Sequence, residues 1–371
     1  MQELLLLIKP ASGLCNMKCD YCFYCDISNK RDIASYGIMT FDTLEVVVEK
    51  ALAYADRACT FAFQGGEPTL AGFEFFEHLM ELEKKHNVKN IKIYNTMQTN
   101  GYAINQKWAE FLGKNQFLVG LSIDGIKATH DKYRHSGDGN DTFLKIMDTA
   151  ALFQKYEVEF NVLTVVNAKT AVKIRRIYEF YKKNGFNYQQ YIACLDPVFE
   201  KKGEREYSLT PELYGNFLIE LFDLWYLDLQ WGRQPYIRQF ENYVAIMMGQ
   251  QPESCEQRGI CGVQHVVEAD GEVYPCDFYV LDSYKLGNLN AVTFEEIEQK
   301  RKEIKFVEKS DNHDEECRNC QYFALCRGGC ERQRTDLPLG AGKRNYFCKG
   351  YQMFFEHSYD RLLDIARKLT R

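Results

Sequence analysis

A chain of 371 residues can support one large core with a smaller domain beside it, and 46% hydrophobic with 26% charged residues is the balance of an ordinary globular protein. Lys+Arg 46 against Asp+Glu 52, a net charge of −6, argues against a general nucleic-acid binder, which needs a basic patch or stripe. No apolar run reaches the length of a membrane span, and the Leu4–Ile8 run is too short for a signal-peptide core and follows Glu3, so the chain is expected in the cytoplasm and off the membrane.

In chain order, β-rich runs at 4–8, 60–64, 91–98, 117–123, 160–166 and 188–194 predict six strands. Helical periodicity fills the intervals. Thr40 is the expected N-cap of a helix through Leu44, Val47, Val48 and Leu52, and further helices are expected over 73–86, 105–114, 141–156 and 172–184, the last closed by Gly185. Parallel neighbours need helical crossovers, so the pattern predicts α/β architecture. Six units are too few for a closed eight-fold barrel. An open partial (β/α)6 barrel is the expectation, with a doubly wound sheet as the alternative.

Either architecture puts a site at the C-terminal ends of the strands. The unusual residues fall there: the Cys15 loop after the first strand, Gln64-Gly65-Gly66-Glu67-Pro68 after the second, Thr99-Asn100-Gly101, Ser122-Ile123-Asp124-Gly125 and Leu195-Asp196-Pro197 after later ones. Each alone reads as a turn; on one rim they read as a site. Two helices are expected over 213–231 and 237–248, then a cysteine-rich region over 255–348, then an amphipathic helix over 351–368 that packs back on the body. The expected division is a barrel with bridging helix over 1–235, a cysteine-rich domain over 236–350 and a terminal helix over 351–371.

Fourteen cysteines in a chain expected in a reducing compartment point to metal or redox chemistry rather than disulfides. Cys59 and Cys194 sit alone in apolar runs and read as core residues. Cys15-x3-Cys19-x2-Cys22 places three soft ligands on one loop, enough to wrap an iron–sulfur cube and leave one iron open. Cys25 could seal that cluster as a fourth ligand, and zinc is a further alternative for four close cysteines. Downstream, Cys255, Cys261, Cys276, Cys317, Cys320, Cys326, Cys330 and Cys348 supply eight thiolates, enough for two fully ligated clusters or, on spacing alone, a pair of zinc sites.

The Cys15–Cys19–Cys22 spacing with Tyr21 before the last cysteine, and the Gly65-Gly66-Glu67-Pro68 run, resemble the radical S-adenosylmethionine (SAM) superfamily. The C-terminal cysteines resemble its SPASM extension. Ile8-Lys9-Pro10-Ala11-Ser12, Cys22-Phe23-Tyr24, the segment from Phe61 to Thr69 and Tyr274-Pro275-Cys276-Asp277-Phe278-Tyr279 resemble anaerobic sulfatase-maturating enzymes, essentially end to end. That resemblance implies three [4Fe–4S] clusters and SAM as cofactors. It pairs Cys255, Cys261, Cys276 and Cys330 on one auxiliary cluster, and Cys317, Cys320, Cys326 and Cys348 on the other. It further implies Tyr21, Gly66, Ser122, Arg134 and Leu195 as SAM contacts, Asp277 as catalytic base, and Tyr24 and Gln64 toward the substrate. The implied reaction turns a cysteine or serine in a C/S-x-P-x-R motif of a sulfatase into Cα-formylglycine, with a low-potential electron donor of flavodoxin or ferredoxin type. Taken alone, Arg134 reads as a surface arginine, Tyr24 as a core aromatic and Asp277 as a turn residue. Two other functions stand beside this one. A thioether-forming maturase is disfavoured because the cluster loop begins by residue 15, ahead of which such enzymes often carry a peptide-recognition domain. A non-catalytic electron carrier would not cleave SAM.

Overall fold

A computed structural model describes residues 3–334, 339–340 and 342–370. The strands in chain order are β1 (Glu3–Ile8), β2 (Met17–Cys19), β3 (Ala58–Phe63), β4 (Lys92–Thr99), β5 (Leu118–Ser122), β6 (Arg134–Ser136), β7 (Phe160–Val166), β8 (Tyr188–Ala193), β9 (Tyr236–Ile237), β10 (His265–Val267), β11 (Glu272–Tyr274) and β12 (Gly287–Asn288). The chain forms two compact units that interleave in sequence, one of residues 1–122, 134–160 and 263–305, the other of 123–133, 161–262 and 306–371.

In the first unit β1, β3, β4 and β5 add in chain order, all parallel, which is the winding of a barrel rather than the reversal of a doubly wound sheet. Leu4, Leu6 and Ile8 of β1 and Cys59, Phe61 and Phe63 of β3 are buried, while the alternate residue Leu5 is exposed. The buried face meets the Phe73–His86 helix through edge-to-face rings, Phe63 against Phe75 and Phe76, and Phe76 packs in the same way on Trp108 of the Gln106–Lys114 helix. Each such pair contributes about 0.5–1.5 kcal/mol beyond its buried area. Thr40 caps as expected, accepting from the Thr43 N–H. On the other side of β1 lies β10, also parallel, followed by antiparallel β11 and β12. No strand was expected there, because three-residue runs carry too little periodicity to read.

The second unit carries β7, β8 and β9 in parallel order. Ile237, expected as the first residue of a helix, instead closes β9 opposite Gln189, and the helix starts at Arg238. The single helix expected over 172–184 is two, Ala168–Ala171 and Ile174–Lys183. Asn167 captures the N–H groups of Lys169 and Thr170 and starts a turn early, and the chain leaves helical geometry at Lys173. The terminal helix begins at Cys348, three residues before its expected start, and packs on the Pro211–Leu229 helix. There a Cβ on Gly350 would stand 2.4 Å from the Pro211 carbonyl oxygen, so this crossing requires glycine. Cys59 and Cys194 are buried core residues, and burial pushes the Cys59 thiol up to about 12. No helix among the described residues is long and apolar enough to cross a membrane.

Candidate active site and cluster cradles

The loop after β1 is held by its own turns and by the glycine run after β3. Ser12 N–H donates to the Lys9 carbonyl and Leu14 N–H to that of Ala11, while Gly66 N–H donates to the Ser12 carbonyl and Glu67 N–H to that of Leu14, both at 2.8 Å. A Cβ on Gly66 would fall 1.9 Å from the Leu14 oxygen. Glycine is required here by the approach of the cysteine loop itself. Glu67 is fully buried and accepts from Thr69, from the Thr99 hydroxyl at 2.7 Å and from the Asn100 N–H at 2.8 Å. Burial raises its pKa, and these donors hold it down in part. Asn100 in turn donates to Asn16 at 2.7 Å and lies 3.6 Å from the Cys15 sulfur. The sequence placed Glu67 and Asn100 on the rim of the site without a role; here they brace the cysteine loop.

Cys15 and Cys22 each accept a backbone N–H at 3.4 Å, from Met17 and Cys25. Burial lifts the Cys15 thiol to about 11 and raises Cys22 as well, with Arg134 among the groups opposing the rise at Cys22. Cys19 in β2 pairs with Arg134 in β6, and the Arg134 guanidinium donates to the Tyr21 hydroxyl at 3.2 Å. Arg134 is therefore buried at the cysteine loop, not on the surface. Ser122 ends β5 and is buried; Leu195 follows β8 in the second unit and is half-buried. Cys25 lies exposed in the Phe23–Ser28 helix, its sulfur 3.6 Å from Asn29 Nδ2. Three thiols on one braced loop, two of them already receiving N–H donors, fit an iron–sulfur cluster. As neutral thiols they are weak partners for that polar setting.

Asp277 opens a single 3-10 turn directly after Cys276. Its carboxylate meets the Lys9 ammonium at 2.5 Å and accepts from Gln64 Nε2 at 2.8 Å. The Lys9 side chain is wholly buried, its Nζ 3.7 Å from the centre of the Tyr24 ring. Tyr24 is buried and its hydroxyl donates to Glu268, just beyond β10, which also pairs with Arg31 at 2.6 Å. Burial drives the Tyr24 phenol well above its ordinary value, and Glu268 adds to the rise. For Glu268 burial is outweighed by Arg31 and Lys9, which leave its pKa lowered. So Asp277 and Gln64 are brought together, while Tyr24 is committed to Glu268. Lys9, Arg31 and Glu268 escaped sequence reasoning. The one available signal was a lysine ending an apolar strand, in Ile8-Lys9-Pro10.

In the second unit Cys317, Cys320, Cys326 and Cys348 line one recess with Phe323, Tyr351 and Phe355. Burial pushes the Cys326 thiol up to about 12, and its neighbours Cys348, Cys317 and Cys320 raise it further. Cys255, Cys261 and Cys330 likewise act on one another, and burial lifts Cys261 to about 11. Cys276 belongs to the first unit. Four thiols around one recess, Cys317 buried and the other three half-buried, fit a cluster that would bind them as thiolates.

Residues 10–181 match the radical SAM superfamily and residues 260–321 an iron–sulfur cluster-binding domain, SPASM. A cysteine-type anaerobic sulfatase-maturating enzyme of Clostridium perfringens strain 13 is 49% identical over 369 residues, covering 100% of both chains. The chain belongs to the anaerobic sulfatase-maturating enzyme family. A serine-type member from Bacteroides thetaiotaomicron is 31% identical, covering 96% of this chain and 89% of its own. A solved structure described as native anSMEcpe with bound AdoMet and Kp18Cys peptide matches with a TM-score of 0.94 at 48% identity, over 99% of this chain and 100% of that one. The fold is thus the expected radical SAM domain with a SPASM extension.

Proposed function

We propose that this enzyme oxidises a cysteine of a sulfatase polypeptide to Cα-formylglycine, using SAM and three [4Fe–4S] clusters. The observation that carries the reading is the Asp277 carboxylate, buried next to Cys276 and held between Lys9 and Gln64. When bound, SAM and the cluster on Cys15, Cys19 and Cys22 supply a 5′-deoxyadenosyl radical that takes a hydrogen atom from the substrate Cβ, and the auxiliary clusters take the remaining electron. Asp277 accepts the side-chain thiol proton, as a positioned carboxylate can. Lys9 stands against that carboxylate as its counter-ion, and Gln64 fixes its orientation by donating to Oδ2. The resulting thioaldehyde adds water and releases hydrogen sulfide. A cysteine rather than a serine target is supported by the higher identity to the cysteine-type relative, 49% against 31%.

The family resemblance supports the rest of the site: Tyr21, Gly66, Ser122, Arg134 and Leu195 contact SAM, and Tyr24, with Gln64, flanks the substrate, in the case of Tyr24 through its ring. It likewise supports auxiliary ligand sets of Cys255, Cys261, Cys276 and Cys330, and of Cys317, Cys320, Cys326 and Cys348. The target motif is C-x-P-x-R, the electron donor a flavodoxin or ferredoxin, and the setting the cytoplasm, where fourteen free thiols stay reduced. Mass spectrometry of synthetic C-x-P-x-R and S-x-P-x-R peptides, incubated anaerobically with SAM and the reduced enzyme, tests this. Formylglycine is expected from the cysteine peptide first. 5′-Deoxyadenosine formed with both peptides unchanged defeats the assignment.

A further inference from the structure

A second recess in the second unit lies beside the four-cysteine one. Arg258, Arg318 and Arg327 line it with Asp311, His313, Phe323 and Ala324, and Phe323 lines both recesses. Each arginine neighbours a cluster cysteine in sequence: Arg258 ends the Cys255–Arg258 turn, Arg318 follows Cys317, and Arg327 follows Cys326. Each spends its Nε on a backbone carbonyl, of Pro252 at 2.8 Å, His313 at 3.3 Å and Ala324 at 3.2 Å. None of the three is ion-paired to a carboxylate among the described residues, so their terminal nitrogens remain for a ligand. The floor is rigid. Buried Arg334 donates to the Gly259 and Ser310 carbonyls and meets His313 Nδ1 at 2.9 Å, and a Cβ on Gly259 would fall 1.8 Å from the Arg327 oxygen. Three cations against one aspartate form a local positive patch on a chain of net charge −6.

We infer that this arginine recess docks an acidic one-electron carrier protein, which takes the electron that each turnover leaves on the auxiliary clusters. The inference rests on the proposed activity for the origin of that electron. It commits to a redox protein, rather than another acidic ligand, because the patch is built from residues flanking cluster ligands and shares the Phe323 ring with the cluster recess. In the step itself the reduced auxiliary cluster loses one electron, and the carrier's oxidised flavin gains it with a proton from water to give the neutral semiquinone. Attraction between opposite charges at such a surface acts mainly on the association rate and is screened by salt.

The test uses the reconstituted full chain, reduced by titanium(III) citrate freed of excess reductant and mixed with oxidised flavodoxin, with semiquinone absorbance followed in a stopped-flow instrument. Arg318→Glu/Arg327→Glu, with and without Arg258→Glu, should lower the second-order rate roughly 10- to 100-fold at low ionic strength. At high salt the rates should converge with that of the unaltered enzyme, and electron uptake by methyl viologen, a small cation, should not fall. Iron content is measured first; if charge reversal costs a cluster, the Arg→Gln versions carry the same readout. Equal rates for variant and unaltered enzyme at low salt, or an unaltered rate indifferent to salt, overturn the inference. Formylglycine formation with dithionite is assayed separately. Its absence would count against the activity and leave the docking measurement standing.

Discussion

Asp277→Asn keeps the shape of the side chain and removes both a base and the counter-ion of a wholly buried lysine. The two losses differ in size and kind. Removing one partner of a buried ion pair costs about 3–5 kcal/mol, because the other charge is left without compensation; losing a general base slows a reaction by roughly 10²–10⁴. The Lys9–Asp277 contact of 2.5 Å, with side-chain exposures of 0% and 12%, places this pair in the costly class. Lys9→Met removes the stranded charge from the other side. In a double-variant cycle, Lys9→Met/Asp277→Asn should therefore be more stable than the sum of the single variants predicts, by a few kcal/mol. Formylglycine formation should stay as low in the double variant as in Asp277→Asn, while 5′-deoxyadenosine is still made. Stability is read by anaerobic denaturant unfolding, activity by peptide mass spectrometry, and iron content is checked because Cys276 adjoins the mutated residue. If the double variant regains formylglycine formation, Asp277 serves only to neutralise Lys9 and is not the base.

Three further outcomes follow from the geometry. Cys25→Ala should keep its first cluster and cleave SAM, whereas Cys22→Ala should do neither; loss of that cluster in Cys25→Ala, seen by iron analysis, would make Cys25 a ligand. Gly66→Ala should abolish SAM cleavage, since its Cβ would fall 1.9 Å from the Leu14 carbonyl oxygen and displace the cysteine loop; normal cleavage and iron content would show that loop to be unconstrained. Glu83, buried against Asn95, has its pKa raised by burial to about 7 from an ordinary 4.5. The unfolded chain therefore releases this proton first, and stability should decline between about pH 4.5 and 7 and level off above, by about 3 kcal/mol. Glu83→Gln should remove that decline; parallel pH profiles of unfolding for the two proteins would show that Glu83 is not its source.

Much of the scaffold was legible in the chain because its signals are local. The first six main strands follow runs of apolar and β-branched residues, and β7 spans 160–166 as read. Thr40 caps its helix through an N–H three residues on, a distance that any sequence displays. The cysteine spacings name a chemistry, since three thiolates within eight residues must share a loop. Where local signals compete, the reading slipped: Asn167 started a helix early, and Ile237 went to a strand because Gln189 stood beside it.

The sequence by itself determined the class of fold and, through short motifs that resemble a known family, the family of reaction. Only tertiary structure decided what surrounds the candidate base. Lys9, Gln64, Glu268 and Asp277 come from the ends of β1, β3 and β10 and from the turn after β11, and become neighbours because β1 pairs with β3 on one side and with β10 on the other. That pairing spans more than 250 positions, and a lysine beside a proline in sequence gives no sign of it. The same holds for Gly66, whose need for a bare backbone is set by the carbonyl of Leu14, a contact that exists only once two loops have met. Charges and glycines of this kind take their roles from partners distant in the chain, so their meaning appears only after the strands have been placed.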